Sequence, residues 1–150
     1  MFLEKFDPNR ELQVWQRVTG GLMPGDSDIR PLLLMAWESA AVYRHLLGLL
    51  SGKQRERMKK LQEQAVRSVD SLKGIQAMSG QPAGNLRPQP IPKESARRLL
   101  EKSFHRSGRL MTEYTARTLD PEYGVVYQNL ADRERKAGLV LAELIGNMER

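Results

Sequence analysis

The stretch from 79 to 92, SGQPAGNLRPQPIP, holds four prolines and two glycines. Proline has no N–H to give and restrains the residue before it, so this stretch is neither helix nor central strand. It divides the chain into two halves, and both halves read as helices. Upstream, residues 31–50, PLLLMAWESAAVYRHLLGLL, are apolar on nearly every side, which marks a buried helix. Ser51-Gly52 closes that helix in this reading. A second helix follows over 53–78, where Met58, Leu61, Ala65, Ser68, Val69, Leu72 and Ile75 recur at intervals of three and four. Downstream, a third helix is expected over 93–118, with Ala96, Leu99, Leu100, Ser103, Ser107, Leu110, Met111 and Tyr114 inward. Asp120-Pro121 starts a fourth, the acid capping and the proline at a position where its missing N–H costs nothing. Its inner stripe is Tyr123, Tyr127, Leu130, Glu134, Ala137, Leu141, Leu144 and Ile145, while Asp132, Arg133, Arg135 and Lys136 face water.

The breaking stretch also constrains topology. About 14 extended residues reach roughly 45 Å, and a helix of about 25 residues is only about 38 Å long. The linker is therefore long enough to return along the whole bundle, so that the third helix lies parallel to the second. Tight turns make the first and second helices, and the third and fourth, antiparallel pairs. The expected fold is an all-α four-helix bundle with one long crossover. An extra leading helix is expected over 8–18, started by Asp7-Pro8 and carrying the narrow apolar stripe Leu12, Trp15, Val18. A loop after it ends in Asp26, Ser27 and Asp28, any of which can cap the first bundle helix.

With 150 residues and 40% of them hydrophobic, the chain suits one domain. It has no cysteine, which excludes disulfides and thiolate-held metal centres and fits a reducing cytoplasm. The N-terminal residues have no signal-peptide pattern. Residues 31–50 are long enough to cross a membrane, but Glu38, Arg44 and His45 in their midst make insertion costly, so no membrane role is expected. The net charge of +6 admits an anionic partner such as nucleic acid. Its lysines and arginines are spread over several segments without interleaved aromatic residues, which favours an ordinary basic surface.

Two carboxylates sit on apolar stripes, Glu38 and Glu134. A buried charge needs a partner, a proton or a metal. Glu38 and His45, seven apart, share a helical face with Leu34, Ala41, Val42 and Leu49. Glu38 is then protonated or hydrogen-bonded to Tyr114, Tyr127, His45 or a core serine, or holds a metal weakly with Glu134 and His45, or is turned to the surface by rotation of its helix. Two adjacent carboxylates would not both ionise cheaply, so one of a facing pair should titrate high. His105, beside Phe104 and Arg106, is expected at the surface. No nucleophile set, phosphate loop or nucleotide fingerprint is present.

The run Glu38-Ser-Ala-Ala-Val-Tyr43, the run Ala131-Asp-Arg-Glu134-Arg-Lys-Ala137-Gly and the ending Leu72-Lys-Gly-Ile75 resemble the rubrerythrin-like branch of the ferritin-like superfamily. Val14-Trp15-Gln16-Arg17-Val18 is similar to the leading helix of small bacterial ferritin-like proteins. The resemblance implies two carboxylate-bridged irons held by one Glu on each of the first and third helices and a Glu-x-x-His on each of the second and fourth. Carried over, the first-helix Glu falls on Glu38 and the fourth-helix pair on Glu134 and Ala137. The second-helix pair falls on Ala65 and Ser68, and the third-helix Glu on Ser107. His45 takes the place of a Tyr that often hydrogen-bonds the site, as a core or supporting residue rather than a ligand. Four of six ligand positions thus hold Ala or Ser, which cannot bind iron. The resemblance implies a degenerate di-iron site and a bundle acting as a binding or structural module, with no cofactor and an unknown protein partner, or as a homodimer. The other reading is an iron- or manganese-handling oxidoreductase with a reduced site at Glu38, Glu134 and His45.

Overall fold

The computed structural model describes residues 28–81 and 86–148, and in these it holds four helices and no strand. They are α1 (Arg30–Leu47), α2 (Gly52–Met78), α3 (Ala96–Ala116) and α4 (Gly124–Met148). The all-helical expectation holds for these residues. The expected leading helix over 8–18 lies outside them.

The helix ends follow local chemistry, with shifts from the expected limits. α1 stops at Leu47, and Gly48 caps it by donating its backbone N–H to the His45 carbonyl at 3.1 Å. Leu50 leaves the helix yet is buried against the core. Gly52 therefore opens α2 instead of closing α1, and it does so at φ 59, a left-handed conformation that favours glycine. At the start of α1 the Asp28 carboxylate accepts the Arg30 backbone N–H at 3.1 Å. α3 begins three residues later than its apolar pattern suggests, because Ser95 is its cap and accepts the Arg98 N–H at 3.1 Å. Asp120-Pro121 does not start the last helix as expected: the Asp120 carboxylate accepts the N–H groups of Glu122 and Tyr123, each at 2.8 Å, and closes a turn, so that α4 begins three residues later at Gly124. The turn so formed leads into α4.

Two apolar clusters make the core. One joins Leu32, Leu33 and Ala36 of α1, Leu72 and Ile75 of α2, Leu110 and Tyr114 of α3, and Tyr127 and Leu130 of α4. The other joins Tyr43 and Leu46, Met58 and Leu61, Leu99 and Leu100, and Leu141 and Leu144. α1 and α4 thus start in the first cluster, and α2 and α3 start in the second. α1 packs on α2 and α3, and α4 on α3 and, more loosely, on α2. Of the linker, Leu86 packs against the first cluster and Ile91 against the second. Among the described residues no helix is long and apolar enough to cross a membrane.

Candidate functional site: a polar waist with a buried carboxyl

Between the two clusters the core turns polar. Ser39, Ser68, Ser103, Ser107 and Glu134 are all buried there, with Tyr43 and Tyr114 beside them. A cavity of about 10 Å³ lies at this level, with room for a single water-sized group, lined by Ser39 and Tyr43 from α1, Ala65 and Ser68 from α2, and Glu134 and Ala137 from α4. Ser107 of α3 closes the ring by donating its hydroxyl to the Glu134 carbonyl oxygen at 3.0 Å. Ala65, Ser68, Ser107, Glu134 and Ala137 are therefore brought together.

Glu38 is not with them. Its helix turns Ser39 and Tyr43 inward and sets Glu38 on the flank, where a cleft of about 170 Å³ is bounded by Ala41, Pro88, Pro90 and Arg106. Its carboxylate lies 3.7 Å from the Arg106 guanidinium, and the two side chains are 27% and 18% exposed. A shared proton between Glu38 and Glu134 has no geometric basis here. His45 is exposed in the last turn of α1, neither in the core nor near Glu134, and His105 is exposed as expected.

Burial dominates the electrostatics of the waist. It pushes the Glu134 carboxyl up to about 7, against the opposing pull of the Ser107 hydroxyl and the Arg106 and Arg133 guanidiniums. Burial raises the Tyr43 phenol well above its ordinary value, and a negative Glu134 would raise it further. Tyr114 shifts the same way for the same two reasons. The hydroxyls of Ser103 and Tyr114 form no regular hydrogen bond within the protein, nor does Nη1 of Arg106, while the Ser39 and Tyr43 hydroxyls interact with each other. Arg133, expected to face water, is half-buried and donates to the Ser68 hydroxyl at 3.0 Å.

Sequence reasoning missed Ser39, Tyr43, Arg106 and Arg133 as parts of this waist. The spacing of Ser39 and Tyr43, one turn apart and in register with Ala36 and Leu46, was the available signal.

The residues of the waist do not fit a pair of metal ions. Two irons or manganese ions lie about 3.5–4 Å apart and need bridging carboxylates, with imidazoles completing the set. One carboxyl lines the cavity, and the groups around it are hydroxyls, methyl groups, an amide and two guanidiniums. Among the described residues no cluster of three or more His, Asp and Glu side chains could hold a metal ion. The polar groups can hydrogen-bond a water or hold a proton on Glu134. Comparison with protein-family models, with curated proteins and with solved structures finds no match to this chain.

Proposed function

We propose that this protein is a non-catalytic helical bundle of ferritin-like descent, a binding or structural module whose di-iron centre has given way to a hydroxyl-lined waist. The observation that carries this reading is the convergence of Ala65, Ser68, Ser107 and Ala137 around Glu134. With Glu134 these are five of the six positions to which the resemblance assigns ligands, while the sixth, Glu38, stands apart on the flank beside Arg106. Small uncharged replacements there are what a bundle needs when it loses its cations, because several unpaired buried carboxylates would repel one another.

The crossover belongs to the same proposal. α2 and α3 both start in the second cluster, and Leu86 and Ile91 pack on different clusters, which supports a linker running the length of the bundle. A homodimer is part of the reading as well, with the exposed Leu119 and Val125 flanking the α3–α4 turn as apolar surface available for pairing.

Metal analysis of the full chain, purified from cells supplemented with iron and manganese, tests the central claim. The expected content is far below one metal per chain and unchanged in Glu134→Ala. Near-stoichiometric metal that is lost in that variant would establish the reduced-site oxidoreductase reading in its place.

A further inference from the structure

α2 and α4 pack loosely, and between them runs a groove of about 590 Å³, within the size range of small-molecule sites. Its walls are two helical faces: Arg57, Lys60 and Gln64 of α2, and Arg133, Lys136 and Val140 of α4. Leu61 and Ala137 form an apolar floor. Two links tie the walls together, Arg57 to Glu143 and Arg133 to Ser68. They are separated by 11 residues on α2, about 16 Å of helix.

Four of the lining residues are cations and one, Asp132, is an acid. Asp132 is already engaged by Arg135 and Gln128 of its own helix. Lys60 and Lys136 have no ion-pair or hydrogen-bond partner among the described residues, and both are exposed. Like charges facing one another along a groove repel, and an anion between them relieves that repulsion.

We propose that this groove binds a small organic anion, a phosphate or carboxylate carried on an apolar body. The lysines supply charge to the anionic group, and Leu61, Ala137 and Val140 receive the body. A nucleic acid fits less well, because the slot is bridged near both ends and no aromatic side chain lines it for base stacking. The proposal does not depend on the history of the waist beneath.

Isothermal titration of the full chain at low salt with 1-naphthyl phosphate tests it, with inorganic phosphate and 1-naphthol as the two halves of the probe. The expected result is one equivalent of naphthyl phosphate bound at least ten-fold more tightly than either half. Lys60→Gln and Lys136→Gln should each weaken it about five-fold. Their thermal melts should match the wild type, since both side chains are exposed. Val140→Trp, which fills the slot, should abolish binding. Absence of saturable binding by naphthyl phosphate would overturn the proposal. So would equal affinity in the doubly substituted chain, or a lysine-dependent affinity for a short DNA strand with none for the naphthyl probe.

Discussion

Glu134 concentrates the physical tension of the molecule, since it is a carboxyl only 8% exposed at the centre of a bundle. Its folded pKa of about 7 lies above the ordinary 4.5, so the folded state holds a proton that the unfolded state releases between those values. This group's contribution to stability is therefore greatest below pH 4.5, falls as pH rises toward 7, and levels off beyond. The shift corresponds to roughly 3 kcal/mol. Glu134→Gln keeps the shape and removes the titration, so its stability relative to wild type should rise by about that amount between pH 4.5 and pH 8, measured by denaturant unfolding. The other groups facing Glu134 are the phenols of Tyr43 on α1 and Tyr114 on α3, which burial keeps neutral through that window, and the guanidiniums of Arg106 on α3 and Arg133 on its own helix. A constant difference would mean that the guanidiniums hold the carboxylate ionised throughout. Glu134 was legible in the sequence because α4 has one narrow apolar stripe and the residue sits on it. Glu38 was not, because α1 is apolar nearly all round. Such a helix gives no pattern that fixes its rotation, and a step of one residue, about 100°, exchanges Glu38 for Ser39.

At the scale of elements, the apolar stripes of α2, α3 and α4 were legible, but buried Gln76 and Phe104 and half-buried Arg106 and Arg133 were not placed inward, and the ends were read less well. Apolar spacing marks a face over many turns, but a helix ends on a few hydrogen bonds that compete locally. Ser95, Gly48 and Gly52 decide boundaries that the stripes alone put elsewhere. The α3–α4 turn makes the most specific demand. A Cβ on Gly124 would stand 2.4 Å from the Thr118 carbonyl oxygen, a backbone atom that cannot swing aside. Gly124→Ala should destabilise the protein by about 1–3 kcal/mol, the usual cost of overpacking. Gly74 lies inside α2 with nothing within 4 Å of its would-be Cβ. Gly74→Ala should stabilise by about 0.5–1 kcal/mol, through helix propensity and a less flexible unfolded chain. Thermal unfolding of the two variants separates packing from propensity, since the same chemical change should move the midpoint in opposite directions.

For the whole molecule, the packing of α1 on α3 and of α4 on α2 joins these helices in a single bundle instead of two independent hairpins, and the proposed crossover is the path by which the linker would connect them. Proline content announced the break after α2, but which way the chain returns depends on cluster membership that only packing reveals. The convergence of Arg57 and Lys60 with Arg133 and Lys136 along one groove was hidden for the same reason, since it joins segments far apart in sequence. The crossover has a direct test in linker length. About 17 residues join Met78 to Ala96, reaching roughly 56 Å when extended, against about 40 Å for α2 itself. Deleting residues 82–91 leaves a reach of about 23 Å, too short to run back along the bundle but ample for a turn between neighbouring helix ends. The deletion also removes Leu86 and Ile91, so a chain with those ten positions replaced by Gly and Ser controls for their packing. The replaced chain should unfold cooperatively at a lowered midpoint, and the deleted chain should lose cooperative unfolding. If the deleted chain melts like the replaced one, α3 does not need the long return path, and the helices are joined by a local turn instead.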